Sequence, residues 1–117
     1  MAYGFIKTAC ISPALKIADC KYNAEQIQIR AAEAAKAGAS IIVFPELSLT
    51  GYTCGDLFLQ KTLLRAAQEQ LLSLIEKTEN LNSLIFVGLP VARTEGIYNC
   101  AAAIYRGQLL ALYAKSY

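Results

Sequence analysis

Four consecutive apolar residues, Ile41-Ile42-Val43-Phe44, are closed by Pro45. Proline cannot donate to a strand ladder, so the run stops there. A short run with no polar residue reads as a strand buried on both faces. Helical patterns lie on either side of it. Upstream, Asn23 with Gln26 three residues on resembles a capping box, and Ile27, Ala31, Ala34 and Ala35 fall on one helical face. Gly38 suits the left-handed residue that ends such a helix. Downstream, Leu47 to Asp56 reads as a loop containing Gly51 and Gly55. Asp56 then caps a second helix with Leu64, Ala67, Leu71 and Leu74 on one face, fading near Asn80.

Four further apolar stretches complete the pattern. Tyr3 to Ile11 reads as a first strand, ended by Ser12-Pro13. Leu84 to Leu89 reads as a third, closed by Gly88 and Pro90. Ile97–Tyr105 and Gln108–Tyr113, joined by Arg106-Gly107, read as a β-hairpin. The order β-α-β-α-β plus hairpin predicts an α/β sheet with right-handed crossovers. Hydrophobic residues make up 56% of the 117 and charged residues 17%. That balance excludes disorder. The apolar content and the finish soon after a strand lead us to expect residues 1–117 to be the N-terminal part of a larger domain.

Several function classes drop out. Net charge is +2, from 11 basic and 9 acidic residues, which gives no electrostatic case for a nucleic-acid or membrane partner. With no histidine among these residues, a Ser-His-Asp triad, a Cys-His pair and a His-bearing zinc site cannot be assembled from them. No apolar run approaches the roughly 18 residues of a membrane span. The four cysteines, Cys10, Cys20, Cys54 and Cys100, form no Cys-x-x-Cys pair. Free thiols and a start without a signal-peptide pattern fit a cytoplasmic protein. Cys10 and Cys100 fall in predicted strands and read as small buried hydrophobes.

In open α/β sheets ligands gather at the carboxyl ends of strands. Glu46 follows Pro45 at such an end, and Lys115 follows the last predicted strand. By position alone, a solvated glutamate and a surface lysine are the commoner cases. Converging on one site, the pair could act as a general base and an oxyanion partner. Tyr52 on the following loop suits a pocket wall or a lid over the core. Cys54 has no basic partner identifiable from sequence, so it reads as an incidental thiol.

The stretch Gly38-Ala39-Ser40-Ile41-Ile42-Val43-Phe44-Pro45-Glu46-Leu47 resembles the first signature of the nitrilase, or carbon-nitrogen hydrolase, superfamily. The spacing of Asp19, Asn23 and Ile27 is similar to the start of that fold. Val87-Gly88-Leu89-Pro90 resembles its third strand, and Tyr98-Asn99-Cys100-Ala101 its following hairpin. Lys115 falls where the family's lysine sits. Pro45 to Phe58 is narrower, being similar to the glutaminase domains of the glutamine-dependent NAD synthetase family. One departure is Ala114, where those domains usually carry proline before the lysine.

The resemblance implies part of a four-layer α-β-β-α sandwich and a Glu-Lys-Cys triad. Glu46 matches the general base and Lys115 the lysine that stabilises the tetrahedral intermediate, while Tyr52 is expected as a substrate contact from its place on the loop after Glu46 alone. The nucleophilic cysteine of the family follows the lysine, and none of Cys10, Cys20, Cys54 or Cys100 matches that position. Glutamine is the implied amide substrate. Deamido-NAD, ATP and magnesium are implied for a synthetase domain outside these residues, with no cofactor or metal bound by this segment. Family members usually assemble as homo-oligomers. The alternatives are the front of a stand-alone nitrilase-superfamily amidase acting on another small amide, or a non-catalytic fragment.

Overall fold

The computed structural model describes residues 6–51, 61–94 and 96–114. Seven elements run β1 (Thr8–Cys10), α1 (Cys20–Lys36), β2 (Ile41–Val43), α2 (Lys61–Lys77), β3 (Leu84–Arg93), β4 (Gly96–Tyr105) and β5 (Gln108–Ala114). They form one five-stranded sheet in the order β1-β2-β3-β4-β5. The first three strands are parallel, and β3, β4 and β5 pair antiparallel. The predicted α/β class and hairpin are both present.

Strand order equal to chain order decides where the helices go. Each β-α-β step moves one strand in the same direction, so right-handed crossovers put α1 and α2 on the same face. Ile27 and Ala31 of α1 and Leu63, Ala67, Leu71 and Leu74 of α2 join Ile42, Ile85, Val87, Leu89, Ala102 and Ile104 of the sheet in one buried cluster. The stripe on α2 begins at Leu63 rather than the expected Leu64, which is only half-buried. On the other face Ile41, Val43, Phe86 and Ala101 are half-buried. The run Ile41–Phe44 is thus fully packed on its helix side only, among the described residues.

Three sequence expectations need correction. Helix α1 starts at Cys20, one turn earlier than expected, with Asp19 as its cap: Asp19 Oδ1 accepts from Tyr22 N at 3.1 Å. Asn23 is instead inside the helix and fully buried. Its Nδ2 donates to Lys16 O at 2.8 Å and to Leu49 O at 3.1 Å, and its Oδ1 accepts from Lys16 N at 2.7 Å. Its side chain therefore ties two irregular segments to the helix, where a cap would have served only the helix itself.

Strand β3 does not stop at Gly88 and Pro90 but runs to Arg93. Phe86 O accepts from Phe44 N, and Gly88 O from Leu49 N, so the even residues turn their backbone groups toward β2 and the segment after it. Pro90 continues this alternation, two residues beyond the last contact on that side. Its missing N–H therefore costs no β3–β4 bond. The third correction is Cys10, which is exposed on the edge strand β1, whereas Cys100 is buried as expected. The ends met expectation better. Gly38 is left-handed (φ 95°) after α1, and Arg106 and Gly107 both have positive φ (48° and 83°), as a two-residue type I′ hairpin turn requires.

Replacing Asn23 by alanine removes the side-chain partner of part-buried Lys16 N and of buried Leu49 O, while Lys16 O keeps its 3.2 Å bond from Asp19 N. Each unpaired group costs about 1–3 kcal/mol. Urea unfolding of Asn23→Ala is expected to show a loss of at least ~2 kcal/mol, and an unchanged midpoint would refute the tethering role.

Candidate active site

The turn Glu46–Thr50 follows β2 and folds back on β3. Gly88 makes this possible. A Cβ on Gly88 would lie 2.4 Å from Leu47 N, 2.8 Å from Pro45 O and 2.9 Å from Glu46 C. No side chain fits there, so the turn backbone lies directly on the strand. Two hydrogen bonds hold it: Gly88 N donates to Ser48 Oγ at 3.1 Å, and Leu49 N donates to Gly88 O at 3.0 Å. Leu47 is held left-handed, at φ 54°. Such a conformation costs a non-glycine residue about 1–3 kcal/mol and persists where the surroundings over-determine it. Leu47 O accepts from Gly51 N at 2.8 Å and from Thr50 N at 3.1 Å, which fixes the turn from within.

This arrangement presents Glu46 at the rim of a cavity of about 530 Å³. Its walls come from Val43, Phe44 and Pro45 at the end of β2, Phe86 and Gly88 of β3, Asn99 and Ala101 of β4, and Tyr113 and Ala114 of β5. The carboxylate is exposed, and its Oε1 accepts from Asn99 Nδ2 at 2.9 Å. Mostly apolar walls with a carboxylate and an amide at the mouth suit a small, uncharged polar group such as an amide.

The cysteines differ in their surroundings. Cys100 shares its register with Leu89 and is buried. Burial pushes its thiol above the ordinary value, and nearby Arg93 opposes this in part. A thiol held in its protonated form is a poor nucleophile. Cys20 is buried in α1, and exposed Cys10 is in register with Val43 but does not line the cavity. Among the described residues, no group of three or more His, Cys, Asp or Glu side chains could hold a metal ion, and no helix is long and apolar enough to cross a membrane.

Of the residues singled out from sequence, Glu46 is placed at the cavity. Lys115, Tyr52, Cys54 and the Asp56 cap lie outside the described residues, though Ala114, immediately before Lys115, lines the same cavity as Glu46. Two residues gained roles that sequence reasoning did not assign. Gly88 had seemed a strand terminator, and Asn99 was only part of a motif. The available signal for Asn99 was an amide within the otherwise apolar stretch Tyr98 to Ile104.

The carbon-nitrogen hydrolase family model matches residues 7–117. The chain belongs to the carbon-nitrogen hydrolase family. Within that family it is 36% identical over 115 residues to the glutamine-dependent NAD(+) synthetase of Mycobacterium bovis, an alignment covering 98% of this chain and 17% of that protein. The crystal structure of a glutamine-dependent NAD(+) synthetase from Cytophaga hutchinsonii superposes with a TM-score of 0.88 at 27% identity, covering 96% of this chain and 19% of that one. An amidase from Nesterenkonia sp. shares the fold, with a TM-score of 0.75 at 24% identity over 94% of this chain and 42% of its own. The chain therefore spans only about a fifth or less of the NAD synthetases it matches.

If Gly88 is what lets the carbon-nitrogen hydrolase turn dock, adding one methyl group should dislodge it. Gly88→Ala is expected to cost about 1–3 kcal/mol in urea unfolding, the range for overpacking a filled site. Wild-type stability in that variant would show that the turn has room to spare.

Proposed function

We propose that this chain is the front part of the glutaminase unit of a glutamine-dependent NAD synthetase. The observation that carries the reading is the match to such synthetases along nearly the whole chain. The site chemistry supports it. Glu46 would take the proton of a cysteine thiol, and the thiolate would attack the side-chain amide carbon of glutamine. Lys115, with backbone amides, would hold the oxyanion that develops. Glu46 then returns that proton to the leaving nitrogen, ammonia departs, and water activated by the restored carboxylate clears the thioester as glutamate. The nucleophile is assigned, as the family resemblance implies, to a cysteine that follows Lys115 in the longer protein. Tyr52 is assigned to the substrate side of the loop after Glu46.

Such a site needs its apolar floor covered. The half-buried face carrying Val43, Phe86 and Ala101 is assigned to the middle of a four-layer α-β-β-α sandwich, beneath a second sheet. The released ammonia would amidate deamido-NAD in a separate synthetase domain. The described residues around Glu46 do not fit ATP or magnesium, because the one carboxylate and one amide among them, on apolar walls, offer neither a metal's ligand set nor a phosphate cradle. Those groups belong to that other domain, and the protein is assigned to the cytoplasm as a homo-oligomer. The stand-alone amidase alternative has the family match and the shared fold in its favour, but not the match to synthetases along the chain.

The test uses the full-length protein, with the reading frame followed past the codon for Tyr117. Lys115→Ala is expected to lower glutamine-supported NAD synthesis at least ~100-fold, the effect of losing an oxyanion partner, while ammonia-supported synthesis survives. Equal loss with both nitrogen sources would make Lys115 structural and contradict its role as the oxyanion partner.

A further inference from the structure

We propose that Asn99 is a positioning residue that holds Glu46 in its charged, reactive orientation. This rests on the glutaminase reading of the Glu46 site and goes beyond it, to a residue outside the Glu-Lys-Cys set. Glu46 stands on an irregular turn, and its side chain is exposed. Asn99 stands on a regular strand, half-buried, opposite buried Pro90 and next to buried Cys100. Its Nδ2 donates to Glu46 Oε1 at 2.9 Å across 53 residues of sequence. The contact joins the least regular element of the site to one of the most constrained. Fixing one carboxylate oxygen also fixes the direction of the other.

The chemistry of the partner matters as much as its place. The orientation of the amide follows from it, since Oδ1 facing a carboxylate oxygen would set two acceptors against each other. An amide NH₂ only donates, so it favours the ionised carboxylate over the protonated acid. It is also neutral at every working pH, so it steadies the base without forming an ion pair that would have to be broken for proton transfer. Of the other described side chains lining the cavity, only Cys100 on β4 and Tyr113 on β5 titrate, and neither becomes positively charged. Among the described cavity-lining residues, Asn99 is thus a neutral side-chain donor to the Glu46 carboxylate.

The test measures glutamine hydrolysis by the full-length protein across pH for the wild type, Asn99→Ala and Asn99→Asp. The aspartate variant is nearly isosteric and serves if the alanine variant fails to fold. Loss of one hydrogen bond to a charged group is expected to lower kcat about 10- to 100-fold, with KM for glutamine little changed. The acid limb of the profile should move to higher pH in Asn99→Ala. It should move further in Asn99→Asp, where a second carboxylate faces the first. Ammonia-supported synthesis should stay at the wild-type level in both. An unmoved acid limb with near-normal kcat overturns the proposal, and so does an equal loss with ammonia, which would indicate a structural role. Glu46→Gln separates the two levels of inference. If it abolishes glutamine hydrolysis while the Asn99 variants behave as wild type, positioning alone fails. If Glu46→Gln retains hydrolysis, the glutaminase reading fails and the positioning proposal with it.

Discussion

The site depends on a missing side chain. At Gly88 the turn after β2 comes so close to β3 that a Cβ would stand 2.4 Å from Leu47 N. The gap left by the absent methyl group lets the chain reverse directly over the strand and not around it. Ser48 and Leu49 then bond to the two backbone groups of Gly88, occupying the side of β3 that β2 has vacated. The left-handed conformation at Leu47 becomes affordable only because this docking and the internal bonds of the turn leave the backbone few alternatives.

The same turn is held at its far end by α1. Asn23 reaches from within the helix to Leu49 O and to both backbone groups of Lys16, while Ala18 N donates to Thr50 O at 2.8 Å. Helix, turn and strand therefore lock one another. The sheet order places this lock usefully, because both crossover helices cover one face. The cavity with Glu46 at its mouth is built from the strand ends and the other face, so a core that stabilises the fold and a surface that can receive a ligand occupy opposite sides of the same strands.

Much of this was legible in the residues. The apolar run closed by Pro45, the alanine-rich face from Ile27 to Ala35, and the Arg106-Gly107 turn each carry their meaning in local chemistry, and each is found in place. The position of Glu46 at a strand end followed from Pro45. What could not be read is what depends on partners distant in sequence. Asn23 has the composition of a cap and the geometry of a tether, and only Leu49, 26 residues away, distinguishes them. Gly88 and Pro90 look like punctuation until the end of β2 shows that the even side of β3 is open to a turn. Cys10 looks like a core residue until β1 proves to be an edge. Asn99 gains a role only when β4 brings it beside a carboxylate 53 residues earlier.

The docking of the turn on β3 is tested most directly by amide hydrogen exchange in the full-length protein. If the turn is locked, the amides of Gly88 and Leu49 exchange as slowly as those of the β3–β4 ladder at Ile85 and Val87. Exchange at the rate of the exposed hairpin turn at Arg106 would contradict the lock and leave the placement of Glu46 without a cause.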